Sequence, residues 1–342
     1  MADDNIKVIK NDFLEGHTGE VSSVCDMGNG LLASASQDKT VRVWDSASCI
    51  CLRVLEGHTG EVSSVCDMGN GLLASASWDK TVRVWDTESG KCLNVLTGHT
   101  GEVLSVCSVG YGLLASASAD KTVRVWDAKN DKCLMVLEGH TNHVSGVCFL
   151  YGNLLASSSL DKTVQVWSMY NGKCKLVLKH NNWVKSLCSL GNGLLASMCF
   201  DTVWVWNSFR GECLYKLNKD RHHILSICDL GNGLLASASW NNTVRVWNLE
   251  DGECKQEETT PSRVLSMCLV NEINKLALAC EDRVVRLWDI KPEPVPEPES
   301  EGGAIARGGR SNYRKKLNKS VYKKQKTYKK KNKKNKTLRN RN

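Results

Sequence analysis

Histidine, serine and aspartate recur in this 342-residue chain at a spacing that could support nucleophilic chemistry. In the first set, His17, Ser34 and Asp38 lie within 22 residues of one another. A serine nucleophile, a histidine base and an aspartate that orients the histidine are the parts of a catalytic triad. The set occurs five times, however, and each copy ends at a tryptophan, Trp44 in the first. Catalysis has no use for five copies of one site, so the repetition favours a structural role.

The tryptophans show that the chain is built from one repeated unit. Seven of them are separated by 41, 41, 41, 39, 41 and 41 residues. They are Trp44, Trp85, Trp126, Trp167, Trp206, Trp247 and Trp288. Residues 14–45 and 55–86 differ at a single position, where Gln37 is replaced by Trp78. A fixed period of this length indicates one supersecondary unit, copied and stacked.

Each unit has the pattern of four short strands. In the second unit, residues 62–67, 72–77, 81–85 and 91–96 are apolar or alternate in polarity, and Gly, Asn and Asp mark the turns between them. No segment has a long helical period. One four-stranded sheet cannot bury both of its faces, so the units must stack on each other. Seven units in a ring do so and leave few open edges.

The units resemble the WD-repeat β-propeller family over residues 6–290. Four units begin with a Gly-His dipeptide, as at Gly16-His17, and four end with Trp-Asp, as at Trp44-Asp45. The resemblance implies an all-β, seven-bladed β-propeller. It also implies that each His, Ser, Asp and Trp set is a buried, hydrogen-bonded tetrad, a network that specifies packing rather than catalysis. The five tetrads would be His17, Ser34, Asp38, Trp44; His58, Ser75, Asp79, Trp85; His99, Ser116, Asp120, Trp126; His140, Ser157, Asp161, Trp167; and His180, Ser197, Asp201, Trp206.

The last units depart from this pattern. Unit five is two residues shorter than the others, and unit six has Asp220 and Asn241 in place of the tetrad His and Asp. Unit seven has Thr260 and Leu278 in place of the His and Ser. Each lost network removes buried hydrogen bonds worth about 1 kcal/mol apiece. Blades six and seven are therefore predicted to be the softer part of the ring.

The two ends of the repeat region are predicted to meet. Residues 6–14 match the fourth strand of the other units, whereas unit seven runs into Pro292 after its third strand. Proline cannot donate to a strand ladder, so unit seven has no fourth strand of its own. The N-terminal strand is expected to fill that place and close the ring, which is also what the family does. The propeller domain is assigned to residues 1–291.

Sixteen cysteines suggest a disulfide framework at first sight. Thirteen of them are repeat positions in first or fourth strands, and equivalent residues of packed sheets lie about 10 Å apart, too far for a disulfide. We interpret them as small buried hydrophobic residues in a reducing compartment. No metal ligand set and no cofactor motif is present, and no secretion signal or 18-residue apolar segment occurs. These features predict an intracellular protein, cytoplasmic or nuclear or both, without a membrane span.

After residue 291 the composition changes. Residues 292–301 form an acidic Pro-rich linker, and residues 302–342 hold 17 of the 45 Lys and Arg but no Asp or Glu. Four of the 37 acidic residues follow Pro292, so the propeller has 28 basic against 33 acidic residues and the formal charge of +8 belongs to the tail. Such a segment is predicted to be disordered.

The tail carries clusters of lysine interleaved with tyrosine. The lysines are Lys315, Lys316, Lys323, Lys324, Lys329, Lys330, Lys331, Lys333 and Lys334. Lysines neutralise phosphates and tyrosines can stack on unpaired bases, so direct RNA or DNA contact is one hypothesis. A nuclear localisation signal, or an acidic protein or lipid partner, needs the same clusters. A third hypothesis is a solubilising tail without a fixed partner.

The resemblance implies that partners dock on the propeller face that carries the Gly-His loops. It places three contact positions in each blade, and they vary while the scaffold around them is nearly copied. The first positions are Glu20, Glu61, Glu102, His143, Trp183, His223 and Arg263. The second are Ser22, Ser63, Leu104, Ser145, Lys185, Leu225 and Leu265. The third are Gln37, Trp78, Ala119, Leu160, Phe200, Trp240 and Glu281.

These features together predict a non-enzymatic interaction scaffold that binds a peptide or protein on this face. Three successive glutamates in blades one to three favour a basic peptide, and exposed Trp, Phe and Leu favour a protein interface. One alternative is an RNA- or DNA-associated factor of ribosome or RNA processing that binds through its tail. The other is a ubiquitin-ligase substrate receptor. It is weakened because no recruitment domain precedes the repeats and because Ser46-Ala47 follows the first Trp-Asp, where cullin-adaptor binding versions carry Arg.

Overall fold

The four apolar runs of each unit form the four strands of one antiparallel sheet. The computed structural model describes residues 13–217 and 222–289, which contain 28 strands in seven such sheets. The first strands of neighbouring sheets pack against each other, so the sheets stand around a central axis with the first strand innermost and the fourth outermost. The predicted all-β, seven-bladed propeller is therefore confirmed. Within the described residues, every regular element is a strand.

The first three blades follow a two-residue strand, β1 (Phe13–Leu14). Blade one has β2 (Val21–Gly28), β3 (Leu31–Ser36), β4 (Val41–Asp45) and β5 (Ile50–Leu55). Blade two has β6 (Val62–Gly69), β7 (Leu72–Ser77), β8 (Val82–Asp86) and β9 (Cys92–Leu96). Blade three has β10 (Val103–Gly110), β11 (Leu113–Ser118), β12 (Val123–Asp127) and β13 (Lys132–Leu137).

The remaining blades follow in chain order. Blade four has β14 (Val144–Leu150), β15 (Leu154–Ser159), β16 (Thr163–Ser168) and β17 (Cys174–Lys179). Blade five has β18 (Val184–Ser189), β19 (Leu194–Cys199), β20 (Thr202–Asn207) and β21 (Glu212–Leu217). Blade six has β22 (Ile224–Gly231), β23 (Leu234–Ser239), β24 (Thr243–Asn248) and β25 (Cys254–Thr259). Blade seven has β26 (Val264–Val270), β27 (Lys275–Cys280) and β28 (Val285–Asp289).

The core of the molecule lies between the blades. Between blades one and two, Ala35 and Val41 of the first blade pack with Val62, Leu73 and Trp85 of the second, and all five side chains are buried. The small residues of the second strands let adjacent sheets approach closely. Because one side of each blade presents Ala and Val and the other presents Leu and Trp, successive blades pack by the same contact. This repeated contact explains why nearly the same sequence recurs in each unit.

The N-terminal strand closes the ring, as predicted. β1 pairs antiparallel with β28, with Phe13 opposite Arg286 and Leu14 opposite Val285. Leu14 is 1% exposed and lies in the same cluster as Trp44 of blade one. The contact between blades seven and one therefore has the composition of the other inter-blade contacts. The earlier part of the predicted strand, residues 6–12, lies outside the described residues.

The antiparallel order places two kinds of loop on opposite faces. The loops that precede each first strand and the turns between second and third strands, such as residues 15–20 and 37–40, share one face, which we call the GH face. Gly57 shows why a glycine begins these loops. Its φ is +147°, and a Cβ there would lie 2.8 Å from Nη1 of Arg83. Any other residue would be strained here, because residues with a side chain rarely adopt this φ and because the side chain would collide with the packed arginine.

We expect Leu14→Ala to lower the free energy of unfolding by about 2–5 kcal/mol, because it removes a fully buried side chain from the closing contact. Leu96→Ala in blade two is the matched control, since Leu96 ends the outer strand of an unbroken blade and is also 1% exposed. Urea unfolding of both variants gives the comparison. A cost below about 1 kcal/mol for Leu14 beside a normal cost for Leu96 would show that β1 does not close the ring.

Candidate partner-binding face

Four blades contain a complete hydrogen-bonded tetrad beneath the GH face. In blade one, Nδ1 of His17 donates to Oδ2 of Asp38 over 2.7 Å, and Oγ of Ser34 donates to Nε2 of His17 over 2.8 Å. The indole Nε1 of Trp44 donates to the same Oγ over 2.8 Å. Blades two, three and four repeat these contacts within 0.1 Å. The equivalent residues are His58, Ser75, Asp79, Trp85; His99, Ser116, Asp120, Trp126; and His140, Ser157, Asp161, Trp167.

The environment of each tetrad suits a structural role. Ser34 is fully buried, and its Oγ both donates to His17 and accepts from Trp44, so no substrate atom can approach it. Burial alone would raise the pKa of the Asp38 carboxyl, but hydrogen bonds from His17 and Thr40 outweigh it and hold the pKa well below its usual range. The tetrad therefore ties the loop before the first strand to the second and third strands.

Blade five differs from the predicted tetrad. Oγ of Ser197 still contacts Nε2 of His180 and Nε1 of Trp206, each at 2.8 Å. Nδ1 of His180, however, donates to the carbonyl of Leu178 over 3.2 Å, and Asp201 accepts from Thr202 instead. The sequence-based assignment of Asp201 to a fifth tetrad is therefore wrong.

The reason is the length of the turn between β19 and β20. In blade one, Lys39 occupies this turn with a φ of +71°, between Asp38 and Thr40. Blade five has no residue at that place, so Phe200 and Asp201 alone join Cys199 to Thr202. This deletion turns the carboxylate away from the histidine. Asp201 precedes its tryptophan by five residues rather than six, and that shorter spacing was the available signal.

Blade five contains an aromatic cluster that sequence reasoning missed. Trp204 stacks on Trp206 with ring centroids 5.4 Å apart, and Nζ of Lys216 lies 3.4 Å from the Trp204 ring centroid. Burial lowers the pKa of His180 to about 4, and the charge of Lys216 acts in the same direction. The signal was the replacement of the arginine of the repeated Val-Arg-Val-Trp run by Trp204.

Blades six and seven replace the lost tetrads with other contacts. In blade six, Trp247 still donates to Ser237 over 2.8 Å, while Asp220 lies outside the described residues. In blade seven, Arg286 binds the carboxylate of Asp282 through two nitrogens, and Trp288 donates to Glu258 of blade six over 3.1 Å. An arginine thus takes the histidine's place as the partner of the aspartate. The predicted softness of these blades stays a prediction.

The first and third contact positions alternate around the GH face. Within six of the blades, the third-position N–H donates to the first-position carbonyl, as from Trp78 to Glu61 over 2.9 Å. Between blades five and six and between blades six and seven, the third-position side chain contacts the next first-position side chain: the rings of Phe200 and His223 are 3.7 Å apart, and Arg263 lies over the ring of Trp240. We call the first- and third-position residues together the contact ring. The structure thus brings these positions to one face of the propeller, although they are far apart in sequence.

The second contact positions line the central channel rather than the contact ring. The cavity there has a volume of about 200 Å³ and is lined mainly by serines of the seven first strands. Some of these serines join neighbouring blades, as when Oγ of Ser63 donates to the carbonyl of Val103 over 2.6 Å. Lys185 is the charged residue in the described lining, and its side chain is exposed.

The contact ring has an acidic arc and an aromatic arc. Glu20, Glu61 and Glu102 lie partly exposed in blades one to three, next to the innermost strands. The lysines of the neighbouring turns also lie on this face, but farther from the axis because those turns join second and third strands. They are Lys39, Lys80 and Lys121.

The aromatic arc covers blades five to seven. Trp183, Phe200 and Trp240 are 53%, 40% and 50% exposed. The guanidinium carbon of Arg263 lies 3.9 Å from the Trp240 ring centroid, and Nη1 of Arg263 is 3.0 Å from Glu281. Beside this pair, a cleft of about 530 Å³ opens between blades six and seven. The arc therefore combines flat apolar surface with polar groups, as protein interfaces do.

The cysteines form no disulfide: all sixteen are free. In the first strands, burial raises the pKa of the thiols, to about 12 for Cys107. Of the thirteen repeat cysteines, Cys228 is buried, ten are half-buried, and Cys174 and Cys213, in fourth strands, are exposed. The interpretation of all of them as buried residues is therefore wrong, most clearly for the two exposed ones. Among the described residues, no group of three or more His, Cys, Asp or Glu is placed to hold a metal ion. The same residues include no helix long and apolar enough to cross a bilayer.

Comparison with known proteins identifies the family. The fold and the tetrads, each of which includes a tryptophan, define this protein as a seven-bladed β-propeller built from sequence repeats. A family model described as WD domain, G-beta repeat, matches residues 7–45, 49–86, 90–127, 131–168 and 211–248, which is more than half of the chain. The chain belongs to the WD-repeat family.

A curated relative matches a short part of the chain. The mRNA export factor rae-1 of Caenorhabditis elegans is 30% identical over 71 residues, which are 20% of this chain and 19% of that protein. The matched segment thus spans about a fifth of the relative's length. It shows likeness within the repeats and assigns no partner.

We expect Asp79→Ala to lower the free energy of unfolding by about 2–4 kcal/mol, because its carboxylate accepts hydrogen bonds from His58, Thr59 and Thr81. Asp201→Ala in blade five should cost less than about 1 kcal/mol, because the one hydrogen bond to the Asp201 carboxylate from the described residues comes from Thr202. Equal costs in urea unfolding would contradict the difference between the two blades.

The low pKa of His180 predicts a pH dependence of stability. The unfolded chain takes up a proton near pH 6.5, but the folded chain takes it up only near pH 4. The contribution of His180 to the free energy of unfolding is therefore complete above pH 6.5 and is lost as the pH falls towards 4. The unfolding free energy changes in this window by at most about 1.4 kcal/mol per pH unit. His180→Gln should flatten the curve of unfolding free energy against pH in this window. His143→Gln, at an exposed position, should not, and identical curves for wild type and His180→Gln would refute the assignment.

Proposed function

We propose that the protein is a non-enzymatic scaffold that binds a peptide or protein partner on its contact ring. The observation that carries the proposal is the set of exposed aromatic side chains on one face of a scaffold that is otherwise copied. Trp78 is 49% exposed and marks the single difference between residues 14–45 and 55–86. The membership in the WD-repeat family supports an interaction role for this face.

Exposed aromatic residues favour a protein partner for a physical reason. Tryptophan buries a large area at little conformational cost, and it is enriched among residues that dominate binding energy. Trp78, Trp183 and Trp240 all lie on the contact ring, distributed over blades two, five and six. A partner that covers the ring would contact all three at once.

The charge distribution narrows the chemistry of the partner. The acidic arc of Glu20, Glu61 and Glu102 favours positively charged groups, and the aromatic arc favours apolar or flat ones. An extended segment with lysine or arginine at one end and large apolar side chains at the other would match both arcs. We therefore propose a basic peptide segment as the partner to test first.

The basic tail would set location or add a charged contact. Its lysine clusters, outside the described residues, match the chemistry of a nuclear import signal and of phosphate binding. The free cysteines support a reducing, intracellular location, cytoplasmic or nuclear.

The double variant Trp78→Ala/Trp240→Ala should weaken capture of the partner by about 30-fold or more, since aromatic anchors contribute about 1 kcal/mol or more each. The measurement is affinity capture from an extract, followed by titration of the captured protein. Tyr111→Ala/Tyr151→Ala is the matched control, because these two exposed aromatics lie in turns on the opposite face. If the tryptophan variant keeps every partner, the contact ring is not the docking surface.

A second candidate function is association with RNA through the tail. It is favoured by the lysine clusters with Tyr313, Tyr322 and Tyr328, and by the partial likeness to a protein named as an mRNA export factor. Removal of residues 302–342 separates the two candidates. Loss of co-purifying RNA with a steep salt dependence in the intact chain would support the tail function. Unchanged protein capture after the same deletion would support the scaffold.

A further inference from the structure

Two tryptophans of the contact ring occupy equivalent positions but have different neighbours. Trp78 and Trp240 are 49% and 50% exposed, and the N–H of each donates to the first-position carbonyl of its own blade, over 2.9 and 2.7 Å. In the next blade, the first position is Glu102 after Trp78 and Arg263 after Trp240. The two tryptophans therefore lie in equivalent sites whose charged neighbours differ, and the two sites can be compared within one chain.

The site in blades six and seven is occupied by a cation of the chain itself. The guanidinium of Arg263 lies 3.9 Å from the centroid of the Trp240 ring, and its Nη1 contacts the carboxylate of Glu281 at 3.0 Å. A cation over an aromatic face is attracted by the ring, and the carboxylate adds a charge-assisted hydrogen bond. The scaffold thus positions a tryptophan and a carboxylate so that they hold a guanidinium.

The site in blades two and three has the tryptophan but different charges: Glu102 stands at the position of Arg263, and Ala119 stands at the position of Glu281. A second glutamate, Glu61, lies in the same blade as Trp78, and its carbonyl accepts the Trp78 N–H over 2.9 Å. Within residues 13–217 and 222–289, neither Glu61 nor Glu102 forms an ion pair. An ammonium or guanidinium from elsewhere would be attracted both by these two carboxylates and by the face of the Trp78 ring.

We propose that Trp78, Glu61 and Glu102 bind a lysine or arginine side chain, and that the occupant is the basic segment of this chain, residues 302–342. The proposal deepens the proposed function, because a segment bound here would compete with a partner for the acidic arc. The segment has 17 cationic side chains and no acidic one, whereas the rest of the chain has an excess of acidic residues. Its charge is therefore complementary to the arc.

The length of the chain allows this contact. The described part ends at Asp289, where β28 reaches the face opposite the GH face. A blade of five to eight residues per strand is about 16–26 Å high. Lys315 follows Asp289 by 26 residues, and a chain of that length can span at most about 90 Å. The lysines at 315–334 can therefore reach the acidic arc around the edge of the propeller.

The tether also allows a weak contact to be populated. A segment on the same chain has an effective concentration in the millimolar range, so a single lysine over Trp78 needs little intrinsic affinity. Such a contact is partly exposed and is screened by salt. The bound segment would be released by raised ionic strength or by a partner that binds the arc more tightly.

Carbodiimide cross-linking of the full chain tests the proposal, since it joins a carboxylate to a lysine amine that lies in contact with it. We expect links from lysines 315–334 to Glu61 and Glu102 to exceed those to Glu88 and Glu253, which are exposed in turns on the face where the segment leaves the propeller. The links should fall several-fold in Trp78→Ala and in high salt. Trp240→Ala is the matched control and should leave them unchanged.

Three outcomes would overturn the proposal: links spread evenly over both faces, a link yield that Trp78→Ala does not change, or a yield that rises with protein concentration. The last result would assign the contact to a second copy. Because Trp78 is exposed, the variant is expected to fold, and its melting temperature checks this. Partner capture by the chain without residues 302–342 is measured separately, so failure of this contact and failure of the proposed function are distinguishable.

Discussion

The packing of each blade against its two neighbours is the contact on which the rest of the structure depends. A four-stranded sheet with Ala and Val on one side and Leu and Trp on the other has nowhere to bury both sides except between two others. The ring must therefore close, and the contact between blades seven and one needs β1 with Leu14 to be complete. Since all inter-blade contacts are alike, the residues beneath the GH face are held to one pattern. The exposed contact ring is free to vary.

The tetrads refine this packing rather than create it. Blade five keeps its place without the histidine–aspartate bond, and blade seven has Leu278 where the other blades have a tetrad serine. The second strand nevertheless remains buried between its neighbours, along its whole length in blade five and from Leu276 to Cys280 in blade seven. The hydrogen bonds of blades one to four position the loop before the first strand, which carries the first contact position. The networks thus connect the core to the GH face.

Much of the fold was predictable because the chain repeats itself. The period of the tryptophans and the proline after the last strand predicted seven blades and the closing strand. The error at Asp201 arose because residue types were matched without counting the residues of the turn between β19 and β20. This turn lacks one residue, and the carboxylate therefore points away from the histidine. The contacts of Phe200 with His223 and of Trp240 with Arg263 could not be predicted from spacing, because they join different blades and depend on side-chain direction. The exposure of Cys174 was missed because outer strands have one open edge.

The closed ring also places the contact positions of all seven blades on one face, and some of their contacts cross from one blade to the next. Hydrogen exchange of the amides of β28 measures closure most directly. If β1 pairs with β28, peptides covering Val285–Asp289 should exchange as slowly as those covering Val82–Asp86, the same strand of an unbroken blade. Exchange of Val285–Asp289 at the rate of an unpaired edge strand, beside protected Val82–Asp86, would contradict the closed seven-bladed ring and the binding surface that we propose on it.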